Sequence, residues 1–410
     1  MAFPWYFTKY PETKIGIGGS TLYIRLGAVA FGALTNIFWC LEFYLCFEDV
    51  TRPAYYVFRI VFAIIFNFLQ MHFIFRCSTI KLTCPNAIIR FGIMHNLAVN
   101  LWTWLSLSIP NICNPPGIFC SENVTIIPIF NSTYHDPESP FPRASYYFKT
   151  NNFFVYNIIF AILASAIFLT TWRSLKVEAL CARSQNEYSR LVKDKPMFGA
   201  SIGIILFVIT CTSIAIANIL SSKNDQNGAS LALSVIQIIL YIAVLLVMSI
   251  LIVLLSPLFH KMQTFTGILS QSRYLSNMVL VLSAGGEIVY WFTGIYQISS
   301  VTNGVFTVSV LIVKLVTVIV QLPILFTLLK YGQILHQHNP RGEEFITLTT
   351  ILNIILFLCP LFGTVTSDYG FSDKLSSTEK TLLTISKPLI VLYRFQSTVS
   401  LLEIWKVMYL

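Results

Sequence analysis

Tyr393, Gln396, Ser400 and Glu403 recur at spacings of i, i+3, i+7 and i+10. On a helix that spacing draws one polar stripe along a single face, with Arg394 beside it. The surrounding residues are apolar enough to be membrane-embedded, where an ionisable group costs about 2.5–3.5 kcal/mol to insert. The stripe therefore reads either as the lining of a water-filled path or as a hydrogen-bonded seam between helices. Lys314, Thr317 and Gln321 form a second series at i, i+3 and i+7, and Pro323 follows. The proline frees a backbone carbonyl one turn back, which water or a side chain must satisfy. Glu287 stands after Ser283-Ala284-Gly285-Gly286, small residues that let helices approach closely. It either pairs with Lys314 or accepts a proton. Glu42 is a carboxylate at the end of an apolar run, open to the same readings or to snorkelling toward the interface. Arg90, His95, Asn96 and Asn100 share another run, with His95 able to titrate near neutral pH. These groups can pass or hold a proton or orient water. They do not make a hydrolytic or nucleotide-binding centre. No Gly-x4-Gly-Lys-Ser/Thr, no His-Glu-x-x-His and no Ser/His/Asp grouping is present, so the chain is not expected to be an enzyme or to use a cofactor. His336 and His338 fall in a predicted loop and are a weak metal signal, and no metal site is expected.

The elements that must hold these residues follow from composition. Of 410 residues, 55% are hydrophobic and 11% charged, against about 25% charged in a soluble domain. The mean hydropathy is +0.71. This excludes a disordered chain and an ordinary soluble enzyme and predicts an all-α polytopic membrane protein. Ten stretches are long and apolar enough to span a bilayer: 22–48, 53–76, 85–109, 152–172, 197–219, 229–255, 276–298, 304–330, 345–368 and 383–408. The net charge of +9 is scattered between apolar runs, so it reads as a topology signal and not as a nucleic-acid surface. Residues 1–21 lack the apolar core of a cleaved signal and are read as a cytoplasmic segment.

Placing the N-terminus inside puts Arg76 and Lys81 in one cytoplasmic connection. Arg173, Lys176, Arg183, Arg190, Lys193 and Lys195 then fall in the basic linker 173–196 on the same side. It also places outside the long loop 110–151, which carries two glycosylation sequons at Asn123 and Asn131. Cys113 and Cys120 lie in the same loop and can pair in an oxidising compartment. Ten spans return the C-terminus to the inside. The expected organisation is a half of four spans, 22–172, and a half of six, 197–410.

Internal symmetry links the halves. The second, third and fourth spans carry Gln70, Asn100 and Phe160; the eighth, ninth and tenth carry Gln321, Asn353 and Tyr393. The first and seventh spans both have small residues mid-helix and run the same way, so the repeat is parallel. The six-span half has two further helices ahead of its repeat core, and the four-span half has no counterpart to them. The chain thus reads as a six-plus-six protein lacking its first two helices.

The sequence resembles the otopetrins, a family of proton-selective channels. The resemblance rests on Arg25-Leu-Gly-Ala with Leu41-Glu42-Phe43, on Phe68-Leu-Gln-Met-His-Phe-Ile-Phe75, on Arg90-Phe-Gly-Ile-Met-His95 leading to Asn100-Leu-Trp102, and on Ile385 to Lys406. It implies a dimer, of two copies or with a related subunit, of chains built as two six-helix barrels in the plasma membrane. Each barrel is narrowed by a triad of Gln, Asp or Asn, and Tyr. The resemblance maps that triad onto Gln321, Asn353 and Tyr393 in the second half, and onto Gln70 and Asn100 in the first. Phe160 stands where the first-half tyrosine is expected, and Ile159 where a glutamate usually precedes it. The implied activity is passive proton conduction through the second half, with Glu403, Arg394 and Lys314 setting the local field. The alternatives are a non-conducting or regulatory subunit and a proton-coupled solute carrier.

Overall fold

The computed structural model describes residues 19–48, 54–77, 87–108, 153–174, 197–222, 226–256, 272–299, 305–338, 342–362 and 377–409. All the regular structure among them is helical. In hydrocarbon every backbone N–H and C=O must be paired within its own segment, and a helix does this for each apolar run. The helices are α1 Gly19–Glu48, α2 Ala54–His72 continued by a π turn Phe73–Cys77, α3 Ala87–Ser108, α4 Phe153–Ser174 and α5 Met197–Ser222. They continue with α6 Gln226–Leu255, α7 Ser272–Ser299, α8 Val305–His338, α9 Gly342–Phe362 and α10 Ser377–Tyr409. Each falls on one expected span.

One boundary and one count differ from the expectation. The eighth helix runs on to His338, so His336 and His338 lie on its last turn and not in a loop. Leu328, Leu329, Lys330, Gln333 and Leu335 are good helix formers and carry the helix past the membrane-length run despite Gly332. Eight of the ten helices are long and apolar enough by composition to cross a membrane. The other two, α3 and α10, have the length but carry the polar series around His95 and Arg394. In α10 that series is shielded, because nearly every residue from Val391 to Glu403 is buried.

The chain divides into two compact units, 1–185 and 186–410. In the second, α5 packs on α6, α6 on α8, α8 on α7, α7 on α10, α10 on α9, and α9 back on α5. This closes a six-helix ring. Across it α8 meets α10 and α6 meets α9. The ring is filled by Leu240, Met248, Leu280, Val318, Leu325 and Leu352, among others. Close approaches fix its seams. A Cβ on Gly286 would lie 2.2 Å from the Leu389 side chain, so α7 and α10 meet there with nothing between them. A Cβ on Gly199 would lie 2.2 Å from the Glu344 carbonyl oxygen, and the free N–H of Gly199 in the first turn of α5 donates to Glu344 Oε2 at 2.6 Å.

In the first unit α2 packs on α1, α1 on α4 and α4 on α3, an open row with α2 and α3 at its ends. Set α1 to α4 against α7 to α10 in order, and the row is the ring with α5 and α6 removed. This is the neighbour order expected of the parallel repeat. α4 is buried on all sides from Val155 to Phe168.

Candidate functional site

The polar residues of the second unit converge in the middle of its ring. Glu287 on α7, Lys314 and Gln321 on α8, Asn353 on α9 and Arg394 on α10 are all buried, each at 2% exposure or less. Arg394 Nη2 donates to Glu287 Oε1 in an ion pair, and Arg394 Nη1 donates to Gln321 Oε1 at 3.1 Å. Gln321 Nε2 donates to Asn353 Oδ1 at 2.8 Å, and Asn353 Nδ2 donates to the Thr349 carbonyl at 2.9 Å. The sequence leaves Glu287 to pair with Lys314 or to accept a proton; its ion-pair partner is instead Arg394, and Lys314 donates to Gln237 Oε1 at 2.7 Å.

This chain has a direction, and the arginine sets it. A guanidinium has donors only. The acceptor end of the Gln321 amide must therefore face Arg394, which turns its NH2 toward Asn353 and the Asn353 NH2 toward Thr349. The amide orientations thus follow from chemistry and not from any visible hydrogen.

Three residues of this site carry no charge and escaped the sequence reading. Trp291 Nε1 donates to the same oxygen, Glu287 Oε1, at 3.1 Å. Lys314 Nζ lies 4.6 Å from the centre of the Trp291 ring and 5.5 Å from that of Tyr241. The Arg394 guanidinium carbon lies 4.9 Å from the Tyr241 ring centre. Aromatic faces stabilise desolvated cations electrostatically. A signal existed: Gln237 and Tyr241 stand at i and i+4 in the apolar middle of α6, and Trp291 at i+4 from Glu287. The second carboxylate oxygen, Glu287 Oε2, is buried and makes no hydrogen bond among the described residues.

Tyr393 is fully buried in the same core, but its hydroxyl makes no hydrogen bond to Gln321 or Asn353. The two amides of the expected triad meet each other without the tyrosine, whose ring centre lies 5.0 Å from the Arg394 guanidinium carbon. Further along α10, Gln396 Nε2 donates to Ser276 Oγ at 2.7 Å, so this part of the stripe is a seam with α7. Ser400 and Glu403 are buried on the same helix. Nine residues separate Arg394 from Glu403, about 13 Å along a helix, so Glu403 belongs to a different level of the ring.

In the first unit Gln70 and Asn100 are buried. Asn100 Nδ2 donates back to the Asn96 carbonyl at 2.7 Å, and the Gln70 amide makes no hydrogen bond among the described residues. Phe160 is buried and His95 is exposed. The Glu42 side chain lies outside the description. So do Asn123, Asn131, Cys113 and Cys120, all within 109–152.

A family model described as Otopetrin matches residues 23–126 and 147–395. A protein named Proton channel OtopLc from Drosophila melanogaster is 24% identical over 94% of this chain. This chain spans 28% of that relative's length.

Proposed function

Because the chain belongs to the otopetrin family, a family of multi-pass membrane proteins, we propose that it is a passive proton-selective channel of the plasma membrane whose path runs through the second unit. The observation that carries this is the buried chain Glu287–Arg394–Gln321–Asn353, which joins four helices of a closed ring. A purely structural core of lipid-immersed helices is stable with apolar side chains alone. Carboxylate, arginine and amide groups at this depth mark a path.

The roles follow from the donors and acceptors. Gln321 and Asn353 hold water at the narrowest level without trapping a proton, since neutral amides neither gain nor lose one near neutral pH. The unbonded oxygen of Glu287 accepts the proton in transit. Arg394 and Lys314 supply positive potential that repels alkali cations, while a proton passes by exchange along hydrogen bonds. No substrate chemistry is required. Moving one charge through 100 mV is worth about 2.3 kcal/mol, so the gradient is the energy source. The N- and C-termini are cytoplasmic in this reading.

The test is whole-cell recording during an external acid step, with surface delivery confirmed. An inward current and falling cytosolic pH are expected. Its reversal potential should move by about 59 mV per pH unit, since a tenfold activity ratio is about 1.4 kcal/mol. A current that reverses with the sodium or potassium gradient, or none at all, refutes the reading. A second reading, a non-conducting regulatory subunit, draws on Phe160 and the open row of unit 1. It predicts no current alone and an altered current in a co-expressed relative.

A further inference from the structure

Unit 1 buries carboxamides that no other described residue satisfies. Both amide atoms of Asn36 on α1, both of Gln70 on α2, and Nδ2 of Asn157 on α4 are buried without a hydrogen bond among the described residues. The three residues are 5%, 3% and 3% exposed. Leaving one such group unpaired forfeits the hydrogen bonds that water gave it, so a buried amide recruits a partner. Buried water typically makes about three hydrogen bonds to groups of this kind.

Their level in the bundle follows from a contact beside them. A Cβ on Gly32 of α1 would lie 2.6 Å from Met71 Sδ of α2 and 2.9 Å from Phe160 Cε2 of α4. The thioether and the ring tip therefore close directly on the glycine, and three helices meet there in an apolar contact. α1 is 30 residues long, about 45 Å, and only residues 49–53 connect it to α2, so the two run antiparallel. α2 and α4 run the same way: Met71 shares a level with Phe160, and Phe73 further along stacks on Phe168 at 5.1 Å.

One turn from this contact, in the same direction on each helix, come Asn36 (i+4 from Gly32), Asn67 (i−4 from Met71) and Asn157 (i−3 from Phe160). All three are buried, and Gln70 at i+3 from Asn67 continues their face toward the contact. A layer of uncharged amides thus lies against a layer of thioether and aromatic ring.

We propose that the amides of Asn36, Gln70 and Asn157 hold a cluster of ordered water in unit 1, and that Met71 and Phe160 closing on Gly32 form a dry plug that interrupts it. The first half is then a shut proton path whose gate is Phe160. The water and the plug stand on unit 1 alone; only the identity of the ion that would move rests on the proton-channel reading.

The experiment uses the full chain in proteoliposomes with a trapped pH-sensitive dye. Gln321→Leu disables the unit 2 network and sets the background. Adding Phe160→Ala is expected to raise proton flux about tenfold over that background, and Asn36→Leu on top should return it. Hydroxyl-radical footprinting read at Met71 should rise several-fold with Phe160→Ala, whether or not unit 2 conducts. Phe160→Tyr, which keeps the ring and adds a hydroxyl, covers the case in which the alanine variant loses its thermal transition; it should give a smaller rise in both readouts. Unchanged Met71 oxidation in a folded variant overturns the plug. Flux that persists through Asn36→Leu overturns the amide cluster. Wild-type flux alone decides the unit 2 reading, so the two failures are distinguishable.

Discussion

Arg394 organises the site because a guanidinium offers five donors and no acceptor. It bonds Glu287 and Gln321 and lies over Tyr241, and this forces the orientation of every amide after it. Removing one member of a buried ion pair strands the other, at a cost of about 3–5 kcal/mol. Glu287→Leu and Arg394→Met should each lower the thermal midpoint sharply in detergent. The double variant should recover most of the loss while conducting nothing. Gln321→Leu keeps the ion pair and removes both hydrogen bonds of the Gln321 amide, to Arg394 and to Asn353. It is expected to cut proton flux about tenfold or more with a stability loss of about 1–3 kcal/mol, read from flux and unfolding on the same preparation. The stripe was legible in the sequence as spacing. Its division into an ion-paired level at Arg394 and a seam at Gln396 was not, because the partners Glu287 and Ser276 lie more than 100 residues away in the chain.

At the scale of elements, glycines fix how closely helices meet. The Gly286 site leaves no room beside Leu389, and Gly203 is similarly closed by Ile351, its Cδ1 2.7 Å from a Cβ built there. Gly286→Val should force α7 from α10 at a cost of about 1–3 kcal/mol and misalign Glu287, on the next residue, with Arg394. A lower thermal midpoint together with reduced flux checks both effects. Gly285 faces open space, so Gly285→Ala at the neighbouring position should leave the midpoint nearly unchanged. The sequence showed a run of small residues and could not say which one carried the contact. Helix existence was far easier to read, since an apolar run of membrane length has one way to satisfy its backbone.

For the whole molecule, two units with related neighbour order differ in closure. The ring of unit 2 surrounds its polar centre, whereas the row of unit 1 leaves α2 and α3 at its ends. The orientation behind the channel reading makes a separate prediction. Asn123→Gln and Asn131→Gln together should abolish a glycosidase-sensitive mass shift in cell-expressed protein, and protection of loop 110–151 from an external protease in intact cells would overturn the orientation. Composition and the spacing of apolar runs determined by themselves the ten helices of membrane length among the described residues, and residue order determined their repeat. Both are local properties, set by the burial of apolar side chains and the pairing of each segment's own backbone. Tertiary structure alone decided that Glu287 bonds Arg394 and not Lys314, that Gln237, Tyr241 and Trp291 complete the site, and that Phe160 closes on Gly32. Those outcomes depend on helix rotation and on which ring neighbour is within about 3 Å, a selection that a polar group in an apolar run constrains but cannot specify.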